Sequence, residues 1–237
     1  MPQVHDAEAQ TRAGVERAIL AESDAQAARN RARFDAAGVL VVNLMSSPGA
    51  GKTTLLEETV RRCSLRVAVI EGDLATENDA ERLRACGVQA EQITTGTACH
   101  LDARMVADLL ARFDLAALDV LFIENVGNLI CPACFDLGQH CDVVLLSVPE
   151  GDDKPEKYPV MFRQADVVLV TKTDYLRVSP RFDLDRAIAS VRRVGNGAPL
   201  IALSATAEDG LEHWLNWLST QRAHTPRTRQ PHVQSGQ

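Results

Sequence analysis

The chain predicts a doubly wound α/β fold, a mostly parallel sheet with helices on both faces. Three observations lead there. Six short apolar runs recur without the polar alternation of a half-exposed strand, the texture of strands buried on both faces. Segments of helical composition separate them, and parallel strands need crossovers of that length. Between the first run and the first crossover lies S-S-P-G-A-G-K-T-T at 46–54, a glycine-rich turn of the kind that cradles phosphate.

In chain order, residues 1–37 are rich in Ala, Glu, Gln and Arg, with Val15, Ile19, Leu20 and Phe34 as a sparse apolar stripe. They predict a helical N-terminal extension of one or two weakly packed helices. The strand runs are VLVVNLM from Val39, RVAVIE (66–71), DVLFIE (119–124), DVVLLSV (142–148), DVVLVTK (166–172) and PLIALSA (199–205). Helices are expected over Thr53 to Arg62, Glu77 to Cys86, Leu101 to Phe113, Asp183 to Val194 and Glu208 to Thr220, so residues 38–221 form one domain. The remainder, 222–237, has almost no apolar content and reads as a disordered tail.

Composition narrows the function. The 237 residues carry 25 Lys and Arg against 32 Asp and Glu, a formal charge of −7, and only 4% are aromatic. Neither electrostatic attraction to nucleic acid nor aromatic stacking of bases is served by that balance. No apolar run reaches the ~18 residues of a membrane helix, and MPQVHDAEAQ lacks the parts of a signal peptide, so a cytoplasmic protein is expected. Six cysteines in such a chain point to thiols, metal ligands or packing rather than disulfides.

The phosphate loop departs from G-x-x-x-x-G-K-[ST] only at Ser46, which stands at the first Gly. Backbone N–H groups from Gly49 to Thr54, through Ala50, Gly51, Lys52 and Thr53, would face phosphate oxygens at a helix N-terminus. Lys52 would reach the β- and γ-phosphates and Thr53 would ligate Mg²⁺. T-K-T-D at 171–174 follows an apolar strand and resembles the guanine motif N-K-x-D with Thr171 for Asn. Asp174 would accept from the guanine ring N–H and amine beside Lys172, and the S-A-T loop would close over the base carbonyl through Ser204 and Ala205. At the ends of two other strands, Asp73 and Glu124 are candidates for orienting water or holding Mg²⁺, with Gly127 offering its N–H to the γ-phosphate. Asp73 also has the alternative of capping the next helix.

Cys99, His100 and the C-P-A-C run at 131–134 form a second constellation. Thiolate and imidazole suit Zn²⁺ or Ni²⁺ better than Mg²⁺. Cys99, His100 and Cys131 are the candidate ligands, and Cys134 is either a fourth or a bystander. Cys131 lies four residues beyond Gly127, so a metal there would be sensitive to nucleotide state. Cys63 and Cys86 read as packed small hydrophobes, and Cys141 beside His140 as packing or, less favoured, ligation.

These residues resemble the GTPases that insert nickel into [NiFe]-hydrogenases, the HypB family. The likeness runs from about Val39 to Leu218 through SSPGAGKTTLL, EGDLATENDAERL, CHLDA, ENVGNLICPACFDLG, EGDDKPEKYPVMF, TKTD and SAT. The resemblance implies a phosphate-loop GTPase domain that dimerises with nucleotide and holds Ni²⁺ or Zn²⁺ at the dimer interface through Cys99, His100 and Cys131. It implies a slow GTP hydrolase with Lys52, Asp73 and Glu124 in catalysis and GTP and Mg²⁺ bound. Its partners would be a second copy, a companion nickel metallochaperone and the hydrogenase large-subunit precursor. The first 37 residues hold no Cys and only His5, so the nickel-storing N-terminal motifs of some members are missing. Two other readings stand beside it: a urease-accessory nickel GTPase, and a small-molecule kinase with a structural zinc site. The acidic stretch at 150–159 either forms a solvated loop or brings Lys154 or Lys157 to a partner subunit's phosphates.

Overall fold

Each of the six apolar runs forms a strand, and a seventh strand joins them at one edge. In the computed structural model, which describes residues 3–226 apart from 76, 180 and 208 and side chains from Leu20 onward, the strands are β1 (Leu40–Ser46), β2 (Val67–Asp73), β3 (Gln89–Thr94), β4 (Val120–Glu124), β5 (Cys141–Ser147), β6 (Val167–Thr171) and β7 (Leu200–Ala202). They form one sheet in the order β3-β2-β4-β1-β5-β6-β7. Every pairing is parallel. The unforeseen strand, β3, reads QAEQIT and buries only Ala90, because an edge strand has one neighbour and needs no apolar run.

Helices α1 (Gln3–Ala37), α2 (Lys52–Arg62), α3 (Asn78–Ala85), α4 (Ala103–Leu109), α5 (Lys154–Lys157), α6 (Pro159–Gln164), α7 (Leu184–Arg193) and α8 (Leu211–His224) cover both faces. Strand parity sorts the core. Leu40, Val42 and Leu44 of β1 face Leu55 and Leu56 of α2, Leu83 of α3 and Trp214 and Leu218 of α8. Val41 faces the other way, toward Phe34 of α1 and Val106 of α4, while Val144 and Val168 pack under Phe162 of α6 and Val191 of α7. The indole N–H of the fully buried Trp214 finds its acceptor in Thr59 Oγ1 at 2.8 Å, tying α8 to α2.

The N-terminal extension is helical, as expected, but is not weakly packed. It is one continuous helix, and its last turns pack tightly: Ala27, Asn30 and Phe34 are buried. Asn30 Nδ2 donates to Ala103 O (2.7 Å) and Leu137 O (3.0 Å), and Arg31 donates to Gly138 O (2.8 Å). Leu20 of the predicted stripe is exposed, and the side chains of Val15 and Ile19 lie outside those described. At the other end α8 runs to His224, and Arg222 is buried with Asp119 at 3.7 Å, so the chain stays ordered past the boundary read at Gln221. Residues 227–237 lie outside the described residues.

Two further differences concern boundaries. The helix expected from Leu101 starts at Ala103, with Asp102 Oδ1 accepting from Met105 N (2.8 Å) as N-cap, and closes in a 3₁₀ turn at Leu110–Arg112. The charged stretch at 150–159 is folded into α5 and the start of α6, with Asp152 buried against Arg186 and the Asp183 N–H. Among the described residues no helix is long and apolar enough to cross a membrane.

Candidate functional site

The carboxyl ends of β1, β2, β4 and β6 converge where connections leave the sheet in opposite directions, the usual ligand crevice of a doubly wound sheet. β1 delivers Ser46, fully buried, into the turn that opens α2. Ser46 Oγ sits 3.1 Å from Lys52 Nζ and donates to Ser47 O at 2.7 Å, so the departure from the glycine pattern supplies a parking acceptor for the lysine. Gly49 and Gly51 take the left-handed backbone (φ +73° and +99°) that turns the loop toward α2. Gly127, beyond β4, lies so close to the loop that a Cβ there would sit 2.9 Å from Pro48 Cα. The loop and the β4 turn are therefore in contact.

The base-side residues come together as well. Ala50, Gly51, Thr54, Lys172, Asp174 and Ala205 line one cleft of about 210 Å³. Thr171 Oγ1 donates to Ala50 O (2.7 Å) and Lys172 Nζ to Gly49 O (2.6 Å), two tethers from the end of β6 to the phosphate loop. Lys172 is the one non-glycine residue among those described with positive φ (61°), a cost the tether explains. Ser204 Oγ donates to Asp174 Oδ1 at 2.6 Å, which orients the carboxylate and leaves Oδ2 for a ligand.

Three acids end their strands under the loop. Thr53 Oγ1 donates to Glu124 Oε1 at 3.0 Å, keeping its own lone pairs available to a cation. Burial pushes the Glu124 carboxyl up to about 7, against the pull of Lys52 and Thr53. Glu71, in register with Glu124 on β2, is pushed up to about 8, first by burial and then by Glu124. Asp73 closes β2 on the same strand face. The helix it was weighed as capping, α3, instead has Glu77 at its N-cap position. Glu71 escaped the sequence reading although RVAVIE and DVLFIE end alike, a signal available in hindsight of register alone.

The thiol cluster lies beside this crevice. Cys99 Sγ and Cys131 Sγ are 2.9 Å apart, Cys99 Sγ is 3.9 Å from His100 Nδ1, and the three ligand atoms fall within 4.8 Å of one another. Two soft sulfurs and an imidazole at that spacing fit Ni²⁺ or Zn²⁺. Burial lowers the His100 pKa, with Asp102 opposing, which favours the neutral ligating ring. The Cys131 thiol is raised, foremost by its hydrogen bond with Cys99, so a metal bound there displaces the Cys131 proton. Phe135 stacks on the His100 ring (centroids 3.9 Å, planes 18° apart) and fixes its orientation. Cys134, exposed, is outside the cluster. Cys141 is buried, and its neighbour His140 accepts from Val41 N and pairs with Asp35, a packing role for both.

One turn links the two centres. After Glu124, Asn125 Oδ1 accepts from Leu101 N (3.1 Å) and Asn128 Nδ2 donates to Cys99 O (3.4 Å), before the chain reaches Cys131. Neither asparagine was singled out from sequence, because nothing in their spacing reveals that the 95–102 segment lies opposite.

Comparison with known proteins decides the family. The model of the CobW/HypB/UreG nucleotide-binding domain matches residues 40–202. Hydrogenase maturation factor HypB of Escherichia coli K12 is 53% identical over 88% of this chain and 72% of its own length. That of Azotobacter vinelandii is 51% identical over 91% of this chain and 71% of its own. The chain belongs to the HypB family. The crystal structure of HypB from Helicobacter pylori in complex with nickel superposes with a TM-score of 0.81 at 43% identity, covering 89% of this chain and all of that one. HypB from Archaeoglobus fulgidus gives 0.80 at 38% identity, covering 86% and all, respectively. The HypB fold accounts for the seven parallel strands and for the helix preceding β1.

Proposed function

We propose that this chain is a GTP-hydrolysing metallochaperone that couples GTP binding, G-domain dimerisation and hydrolysis to nickel delivery during [NiFe]-hydrogenase maturation in the cytoplasm. The turn from Glu124 to Cys131 is the observation that carries it. One short segment touches the phosphate loop through Gly127 and the Cys99 backbone through Asn128, so γ-phosphate occupancy and the geometry of the thiols share the same residues.

In this reading Lys52 leaves Ser46 for the β- and γ-phosphates, and the N–H groups of the loop and of Gly127 hold phosphate oxygens. Asp73 orients the attacking water. Thr53 and Glu124 hold Mg²⁺, whose charge offsets that developing on the phosphates. Asp174, set by Ser204, reads guanine, while Thr171 and Lys172 lock the base side to the phosphate side. Cys99, His100 and Cys131 carry nickel as cargo, and zinc competes for the same donors. The half-open cluster and the 61% exposed Ile130 beside Cys131 suit a second copy docking there. Lys157 pairs with Asp153, whereas Lys154 lies 5.6 Å over the Tyr158 ring, so Lys154 is the better placed to reach a partner's phosphates. Clients are the companion nickel metallochaperone and the hydrogenase large-subunit precursor.

GTP hydrolysis and Ni²⁺ affinity, measured together in wild type and Cys99→Ala, test the proposal. Nickel affinity that shifts between GTP and GDP in wild type, and is lost in Cys99→Ala with hydrolysis retained, supports it. Equal hydrolysis of ATP, or metal binding indifferent to nucleotide, overturns it. HypB of Helicobacter hepaticus, 44% identical, carries the name hydrogenase/urease maturation factor, and urease is accordingly the second client to assay. A small-molecule kinase would leave the Ser204–Asp174 pair without a purpose.

A further inference from the structure

Two neighbouring strands carry near their carboxyl ends a buried acid that the fold leaves incomplete. Glu71 of β2 and Glu124 of β4 are direct register partners, 2% and 3% exposed, on the sheet face that α2 covers. Neighbouring strands lie about 4.8 Å apart, so the two carboxyls are within repelling distance when both are charged. Glu71 Oε2 and Glu124 Oε2 each lack a hydrogen-bond partner. A buried oxygen without a donor is destabilising, and natural folds seldom keep one without a use. The ammonium of Lys52, the loop's own cation, is held by Ser46 Oγ at 3.1 Å. What each carboxyl lacks is a donor for one of its two oxygens.

We propose that Glu71 is a positioning residue of the nucleotide site, forming with Glu124 an acceptor floor for the hydration shell of the divalent cation that accompanies the nucleotide at Thr53. This rests on the reading of Thr53 and Glu124 given above and extends it to a residue that reading does not use. Mg²⁺ keeps several of its waters when bound, and each water brings two O–H donors. Orphaned carboxylate oxygens beneath the loop are the acceptors such waters require. Glu71 need not touch the cation to act; it turns the shell, and so fixes the cation relative to Thr53.

The experiment measures the Mg²⁺ concentration that half-maximally tightens binding of a fluorescent GDP analogue, alongside thermal melts of the nucleotide-free protein. In Glu71→Gln the Mg²⁺ requirement rises about tenfold, GDP affinity in EDTA stays as in wild type, and the empty protein melts at the same temperature or higher. Glu71→Asp restores part of the Mg²⁺ response. A Mg²⁺ response in Glu71→Gln equal to that of wild type overturns the inference, as does a Glu71→Gln protein that melts lower or fails to fold, since either makes Glu71 a structural residue. Absence of any Mg²⁺ effect in wild type would instead sink the reading of Thr53 and Glu124, so the two failures are distinct.

Discussion

Thr171 stands where the guanine motif usually has asparagine, and its hydroxyl tethers the end of β6 to the phosphate loop, donating to Ala50 O at 2.7 Å. Thr171→Val keeps the shape and removes the donor, leaving a buried carbonyl unpaired, a loss of about 1–3 kcal/mol. We expect guanine-nucleotide affinity to fall about fivefold or more with the melting temperature lowered slightly; isothermal titration with GDP checks it, and unchanged affinity would show the tether to be idle. That Thr171, Lys172 and Asp174 gather beside the phosphate loop was legible in the sequence, because the motif and the strands it follows set their spacing. Glu71, Asn125 and Phe135 were not, since a strand-end Glu, a turn Asn or a Phe has many uses, and only register and stacking reveal which applies here.

Among the elements, α1 is the one whose packing sequence periodicity understated. Its hold on the domain is polar as much as apolar, and Asn30 carries much of it, with its amide donating to Ala103 O at the start of α4 and to Leu137 O. Asn30→Ala orphans two acceptors in a buried place, and a loss of about 2 kcal/mol or more in a urea titration is expected. Opposite Asn30, Gly138 has φ +90°, and a Cβ there would lie 2.6 Å from Ala27 O and 2.8 Å from Arg31 N. Gly138→Ala should lift α1 from the domain, seen as faster amide exchange in residues 27–37 with the sheet still protected. Protection unchanged at Ala27 to Asp35 would contradict the contact. Strand β3 escaped notice for the opposite reason: an edge position tolerates polar residues, so burial leaves little imprint on its sequence.

For the whole molecule, buried acids set the response to pH. Burial raises Asp142 to about 6, helped by Asp166 and Asp136 and opposed by hydrogen bonds from Asn43 and Gln139. The folded state then holds a proton that an unfolded aspartate releases near 4, so this group's contribution is complete below about pH 4 and is lost as pH rises through 6. The unfolding free energy of Asp142→Asn relative to wild type should therefore move in favour of the variant between pH 4 and pH 7. Trp214 fluorescence, from a ring fully buried between α8 and α2, can follow the transition. A difference that stays flat across that window would mean Asp142 is solvated like a surface acid.

The turn from Glu124 to Cys131 has a thermodynamic corollary that holds in either direction. Linkage between two sites on one molecule is symmetric: the factor by which bound GTP changes the Ni²⁺ dissociation constant is the factor by which bound Ni²⁺ changes that of GTP. Under the proposed coupling, a chelator becomes a reagent for the nucleotide pocket and a non-hydrolysable GTP analogue a reagent for the thiols, each reporting on a centre it never touches.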